Sequence, residues 1–378
     1  MNIAILGLGT IGSGVYELLK DNPDINVKKI LDIRCWMDNM TTDIEEIVSD
    51  DSIELVVETM GGIHPAREYA LKCLEAGKSY VSANKLLISE CAFELQETAD
   101  KRGAALLFSA ACGGGIPFLY NLKKTKQTDD IVSLGGILNG TCNYILDKVS
   151  SEGISYEDAL KQAQELGYAE KDPSSDVEGL DTLRKLLLSC AVAFGILPDK
   201  NSVPCYGISR LSDVDIEYAK NRNCVIRLMA FAGKCGDGGL NAAVIPVLTK
   251  NGSIESGIRL NVNYAWYKGA RIGEFGYTGQ GAGKFPTANN IVRDIYAVMQ
   301  GERRMLPESF SAKAADNTDR HCFYVRMPDC RKSALREYCA QTKSKDEYCI
   351  CITKPISFKE LAQVLSKIDD CFVMLMEE

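Results

Sequence analysis

Residues 2–6 form an apolar run, glycines follow at 7, 9 and 12, and apolar residues at helical spacing continue through Val15, Leu18 and Leu19. That pattern predicts a strand, a turn and a helix ending before Pro23. Further apolar runs predict strands over 27–31, 51–58, 79–82 and 105–108, with helices over 65–76 and 90–102 between the later ones. Strands alternating with helices imply right-handed crossovers and a parallel sheet covered on both faces, the doubly wound α/β arrangement of Rossmann type.

The texture changes after residue 130. A strand over 131–138, helices over 141–149, 155–166 and 180–194, and strands near 241–246, 257–262 and 265–271 predict a second, α+β domain with an open sheet. A helix over 286–300 reads as returning to the first domain. From Cys322 onward, a pattern of strand, helix, strand, helix, strand suggests a third, small unit. The expected division is therefore 1–130, completed by about 284–310, then 131–283 and 318–378. For 378 residues, two or three domains are the ordinary expectation.

Composition narrows the function classes. The balance of 43 Lys and Arg against 51 Asp and Glu gives a net charge of −8, which argues against nucleic acid and anionic membranes as partners. No apolar run approaches the ~20 residues that cross a bilayer, and no cleavable leader precedes the first strand, so a cytoplasmic protein is expected. The fifteen cysteines lack framework spacing and read as reduced thiols. Cys349 and Cys351, at alternate positions, would share one face of a strand. With two histidines, His64 and His321, neither a His-based triad nor a zinc centre is expected.

The chemistry-bearing motifs sit where strands feed helices. In Gly7-x-Gly9-x-x-Gly12, the first glycine permits the turn, the second lets backbone approach a pyrophosphate and the third allows close helix packing. Thr10 and Ile11 lie between them, at a helix N-terminus whose N–H groups suit phosphate. Twenty residues after Gly12, Asp32 is placed to take a ribose 2′-hydroxyl, whereas the neighbouring Arg34 suits a 2′-phosphate. The pair leaves NAD and NADP open, with the carboxylate favouring NAD. Glu58-Thr-Met-Gly-Gly62 and Ser82-Ala-Asn-Lys85 end two further strands. Thr59, Gly61 and Lys85 therefore become candidates for facing the cofactor. Gly113-Gly-Gly-Ile-Pro117, Asn139-Gly-Thr141 and Tyr277-Thr-Gly-Gln-Gly-Ala-Gly283 mark sharp backbone at element ends, with Gly281 read as a second cofactor contact or part of a lid.

In residues 167–185, Glu170, Asp172, Asp176, Glu178 and Asp181 place five carboxylates within twelve positions, running into an apolar helix. Buried acids need partners. A substrate ammonium would be one, and Lys185, four residues after Asp181 and so on the same helical face, would be another. A lysine desolvated beside a nicotinamide could exchange protons with an alcohol.

Taken together, these segments resemble homoserine dehydrogenase, over about residues 1–310, because seven motifs occur in the family's order. The resemblance implies interconversion of homoserine and aspartate 4-semialdehyde with NAD(P)H, on the route to threonine and methionine, by a homodimer formed through the second domain's sheet. It further implies Lys185 as proton donor and acceptor, Asp181 as its support and Lys85 at the reacting oxygen and cofactor. Glu170 and Asp176 would hold the substrate, with Tyr168, Gly140 and Thr141 nearby. Two departures stand out. The family often binds a monovalent cation such as sodium through a glutamate and three backbone carbonyls. Here the carbonyls map to Cys112, Gly114 and Ile116, but Ser109 stands at the glutamate position. The tail also lacks the Asp-x-x-Gly turn that usually opens an effector-binding ACT domain, so it reads as a degenerate ACT-like unit.

The expected chemistry is hydride transfer in a crevice between the two large domains, nicotinamide C4 lying about 3 to 3.5 Å from the aldehyde carbon. Other readings are a dehydrogenase for a different amino alcohol, a phosphorylating semialdehyde dehydrogenase using Cys112 or Cys142, and a non-catalytic NAD(P)-dependent sensor.

Overall fold

The computed structural model describes residues 1–236, 238–328, 334–345, 348–368 and 370–376. The chain divides into two compact units, the first comprising 1–128, 191–196 and 279–311, the second 129–190, 197–278 and 312–378.

In the first unit the predicted apolar runs become β1 (Asn2–Leu6), β2 (Asn26–Leu31), β3 (Met40–Thr41), β4 (Leu55–Glu58), β5 (Ser79–Ser82) and β6 (Leu106–Leu107). They form one parallel sheet in the order β3-β2-β1-β4-β5-β6. Every residue of β4 and β5 is buried, as a sheet covered on both faces requires. Helices α1 (Thr10–Leu19), α2 (Glu45–Val48), α3 (Ala66–Glu75), α4 (Lys85–Arg102) and α5 (Phe118–Thr125) follow in chain order. The order reverses beside β1, at the switch point where open α/β sheets bind their ligands. The helix Lys284–Met299, α11 in chain order, packs against α1, where a Cβ on Gly14 would lie 3.1 Å from Ala288.

The second unit carries α6 (Gly140–Glu152), α7 (Tyr156–Glu165), α8 (Ser174–Val177), α9 (Leu180–Phe194) up to Cys190, and α10 (Asp213–Lys220). Its strands are β7 (Ile131–Ile137), β8 (Ile196–Pro198, from Leu197 on), β9 (Cys224–Cys235), β10 (Gly239–Lys250), β11 (Val262–Gly269) and β12 (Gly273–Gln280, up to Thr278). Here the sequence reading needs correction. The strand expected over 257–262 is a 3-10 turn at Glu255–Gly257 followed by chain that enters β11 only at Val262. The long strand β9 pairs with β10 along its whole length and was not read from the sequence. Part of the glycine-rich segment expected to be loop, Tyr277 to Gln280, completes β12.

The tail supplies β13 (Ser311–Lys313), β14 (Arg320–His321), β15 (Phe323–Met327), β16 (Cys339–Lys345), β17 (Tyr348–Thr353), β18 (Ile356–Ser357), α12 (Phe358–Leu365) and β19 (Phe372–Met376). A 3-10 turn, Ala334–Tyr338, stands where the first tail helix was expected. The tail also clusters with the second unit instead of standing alone. The reason is strand pairing: β19 lies parallel to β10 and antiparallel to β15, so the sheet runs β12-β11-β7-β9-β10-β19-β15-β17-β16. Ile245 and Val247 share one apolar core with Phe323, Val325, Phe358 and Leu361. The expectation of reduced thiols fails for Cys339 and Cys351, which form a disulfide between β16 and β17, and Cys349 is also disulfide-bonded.

A buried polar node joins α10 to β15. The Asp215 carboxylate, fully buried, accepts from the Tyr324 hydroxyl at 2.7 Å and from Arg326 Nε at 3.0 Å. It also accepts from the Ser212 N–H and hydroxyl at the start of α10. Asp215→Ala leaves a guanidinium and a phenol without their acceptor, and should lower unfolding free energy by roughly 3 kcal/mol. Urea denaturation checks this; a loss below about 1 kcal/mol would show that the node carries little stability.

Candidate active site

The turn after β1 is built for a close approach. Gly7 adopts φ +89°, and a Cβ on Gly12 would fall 1.9 Å from the Gly7 carbonyl oxygen, so neither position admits a larger residue. Gly9 caps α1 with its outward face open, and Gly9 and Thr10 are exposed. Ile11 is half-buried in the first turn of α1. These residues fit a pyrophosphate on a helix N-terminus. At the end of β2, Asp32 accepts from the Leu8 N–H at 2.8 Å and the Arg34 N–H at 3.0 Å. Burial raises its pKa, but those bonds and the Arg34 guanidinium outweigh it and hold the carboxyl below its usual range. Arg34 itself is 77% exposed.

Thr59 does not present its hydroxyl outward. It donates to the Gly7 carbonyl at 2.8 Å and so braces the glycine turn. Glu58, fully buried, organises the loops after β4 and β5: it accepts from the Ser82 hydroxyl at 2.7 Å and the N–H groups of Met60 at 2.8 Å and Gly61 at 3.2 Å. Burial raises its pKa against those bonds. Asn84 caps α4, accepting from the Leu87 N–H at 3.1 Å and donating to the Gly62 carbonyl at 2.6 Å. Lys85 is therefore the first residue of a helix that begins five residues before its expected start at 90.

In the second unit, α6 and α9 supply a connected polar centre. Lys185 is buried, its Nζ 2.8 Å from Asp181 Oδ2 and 2.6 Å from the Leu138 carbonyl. Asn139 caps α6 through its oxygen, accepting from the Cys142 N–H at 2.8 Å. Its amide donates to Asp176 at 2.7 Å and to Asp181 at 2.9 Å. One amide thus ties Asp176 to Asp181, the lysine's partner, a role the sequence reading did not give to the Asn139 side chain. The Asn-Gly pair before a helix is the signal that could have shown it. Gly140 is hemmed in, a Cβ there meeting the Asn261 carbonyl at 2.7 Å. The Thr141 hydroxyl donates to the Tyr168 carbonyl at 2.6 Å, and Tyr168 is 40% exposed. Glu170 is exposed and stands outside this hydrogen-bonded centre. Cys142 is no candidate nucleophile, since burial, with Asp176 and Asp181 nearby, pushes its thiol well above the ordinary range.

Two of the three carbonyls that the resemblance assigns to a cation are taken up by a side chain. Ser109 is fully buried and gives its N–H and hydroxyl to Asp294, at 2.7 and 2.6 Å. The Gly114 and Ile116 carbonyls accept from the Asn290 side-chain amide, at 2.9 and 3.2 Å. Gly281, read as a second cofactor contact or part of a lid, packs on the same turn, its carbonyl 2.4 Å from where a Cβ on Gly114 would stand.

A dinucleotide-binding sheet and a buried lysine-carboxylate centre on one chain define a nicotinamide-dependent oxidoreductase. The family model "Homoserine dehydrogenase, NAD binding domain" matches residues 7–109, and "Homoserine dehydrogenase" matches 117–296. A homoserine dehydrogenase of Synechocystis is 38% identical over 317 residues, covering 79% of this chain and 73% of its own. One from Bacillus subtilis is 34% identical over 320 residues, covering 80% and 74%. The crystal structure of a homoserine dehydrogenase from Thiobacillus denitrificans superposes with a TM-score of 0.88 at 28% identity, covering 100% of this chain and 98% of that one. The chain belongs to the homoserine dehydrogenase family, NAD(P)-dependent oxidoreductases that act on a CH–OH group.

Burial pushes the Asp294 carboxyl up to about 7 from 3.8, against the pull of Ser109. The native state then holds a proton that the unfolded chain has released, so stability falls as pH rises from about 4 to about 7 and is level above that window. Asp294→Asn should remove up to about 4 kcal/mol of this slope. Urea midpoints of both proteins at either end of the window check it, and equal slopes would sink the assignment.

Proposed function

We propose that the protein interconverts L-homoserine and L-aspartate 4-semialdehyde, with Lys185 as proton donor and acceptor. The observation that carries this is the buried Lys185 ammonium, held 2.8 Å from Asp181 within the segment that the catalytic family model matches. When bound, the dinucleotide supplies the hydride acceptor or donor at nicotinamide C4. In oxidation, Lys185 Nζ acts as the neutral amine, takes the proton leaving the homoserine hydroxyl and becomes the ammonium; in reduction the ammonium returns that proton to the nascent alkoxide. Asp181 stabilises the charged lysine, and its bonds to Lys185 and Asn139 keep Nζ at one position. Lys85 adds positive charge for the developing alkoxide. Asp176 and Glu170 take the substrate ammonium, with Gly140, Thr141 and Tyr168 beside them.

Gly7, Gly9, Thr10, Ile11 and Gly12 hold the pyrophosphate, with Gly61 on the loop after β4 and Lys85 at the start of α4 after β5. Thr59 contributes by bracing that turn, and Gly281 by packing behind residues 113–117. An ionised Asp32 favours NAD, because it accepts from a ribose hydroxyl and repels a 2′-phosphate. We place the enzyme in the cytoplasm as a homodimer formed through the second unit's sheet, where β12 is an outer strand with exposed positions.

Lys185→Ala should lower kcat for homoserine oxidation at least 10²-fold while leaving the Kd for NADH within about twofold. Turnover surviving that change would refute the role. Asp32→Ser should shift the ratio of kcat/KM for NAD to that for NADP at least tenfold toward NADP, read from nicotinamide absorbance with homoserine. An unchanged ratio would mean that Asp32 does not contact the ribose. No turnover with any amino alcohol, alongside tight cofactor binding, would favour a sensor.

A further inference from the structure

Residues Asn290 and Asp294 are four apart on α11 and therefore share one face of that helix. Both are fully buried and both reach the segment 109–116. Asn290 Nδ2 stands 2.9 Å from the Gly114 carbonyl oxygen and 3.2 Å from that of Ile116. A carboxamide nitrogen carries two hydrogens, one for each acceptor. The opposite orientation would set three oxygens against one another, so the network fixes which end faces the carbonyls. Among the described residues nothing donates to the buried Asn290 Oδ1, so the two carbonyls account for the side chain's pose.

These carbonyls are two of the three that the family resemblance assigns to a monovalent cation. A cation touching both would need the place that the Asn290 nitrogen holds. The anionic partner is missing too: Ser109 stands where a glutamate was expected, and its N–H and hydroxyl are given to Asp294. A cation without a compensating charge is costly to bury, whereas a neutral amide satisfies the same acceptors.

We infer that the Asn290 carboxamide replaces the cation, so that the turn Gly113 to Pro117 is held by a covalent part of the chain and the enzyme needs no added Na⁺ or K⁺. Asn290 is a positioning residue. Its effect reaches residues 280–283 because the Gly115 N–H donates to the Gln280 carbonyl at 3.2 Å, while Gly114 packs on Gly281 with no room for a side chain. The turn and the segment before α11 therefore move together.

The test compares NaCl, KCl and tetramethylammonium chloride at equal ionic strength on the full chain. Two readouts are used: Tm, and kcat/KM for homoserine. The activity readout rests on the dehydrogenase reading and the Tm readout does not, so absence of turnover in every salt would strike that reading while Tm still reports on the cation. Wild type should keep Tm within about 1 °C and kcat/KM within about twofold across the three salts. Asn290→Asp sets a carboxylate against the same carbonyls and makes a cation site. It should lose at least tenfold in kcat/KM in tetramethylammonium chloride and recover with NaCl, with Tm rising in parallel. Saturable activation or stabilisation of wild type by Na⁺ or K⁺ would overturn the proposal, as would an Asn290→Asp protein indifferent to cation in both readouts. Should Asn290→Asp fail to fold in any salt, the wild-type titration decides alone.

Discussion

The second unit is organised around one constraint: a charged lysine inside protein must keep its counter-charge at hydrogen-bond distance. Asp181 meets it one helical turn from Lys185, with the Leu138 carbonyl on the other side. Placing that carbonyl requires β7 to end where it does, and Asn263 donates to the same oxygen at 2.8 Å. Asn139, the next residue, caps α6 and gathers Asp176 and Asp181 with its amide. Strand end, helix cap and ion pair are one hydrogen-bonded unit, so the lysine's position is a property of the fold.

The first unit meets an analogous demand with backbone. Its central strands β4 and β5 are buried throughout, and at their carboxyl ends Glu58 takes up Ser82, Met60 and Gly61. Thr59 and Gly12 close the space behind Gly7. What remains open is the rim of the glycine turn, with Asp32 pinned beside it by the Leu8 N–H. The stiffness of this rim is useful: a pyrophosphate meets donors already in place and pays little ordering entropy.

Local pattern exposed much of this directly. The strand at Ser79–Ser82 and the helix at Leu180–Phe194 fall at the expected residues, because a short buried run and a long amphipathic one are unambiguous. The spacing of Asp181 and Lys185 likewise foretold their pairing. Elements set by partners far away in sequence were hidden. β9 is a strand because β10 pairs with it for twelve residues, and the tail joins the second unit because β19 lies against β10. A break in texture near Cys322 marks a change of element order, which a single sequence cannot distinguish from a change of unit. The disulfide between Cys339 and Cys351 depends on a hairpin whose register only the fold defines. Thr59 is a candidate for facing the cofactor in the sequence, yet its hydroxyl turns to the Gly7 carbonyl, because motif position says which loop a residue occupies but not where its donors and acceptors turn.

The same limit explains the segment around residues 109–117. By the family resemblance, Cys112, Gly114 and Ile116 offer a row of carbonyls with no glutamate to complete a cation site, which reads as a damaged motif. The fold shows two of those carbonyls satisfied by Asn290 and Ser109 engaged by Asp294, both from a helix about 180 residues later in the chain. A lost charge in one segment is matched by polar side chains in another. What must be kept in such a site is the satisfaction of buried carbonyl oxygens, and an amide with two N–H groups does this without bringing in a charge. The identity of a cradle's occupant is therefore written in the element that faces it as much as in the motif that forms it.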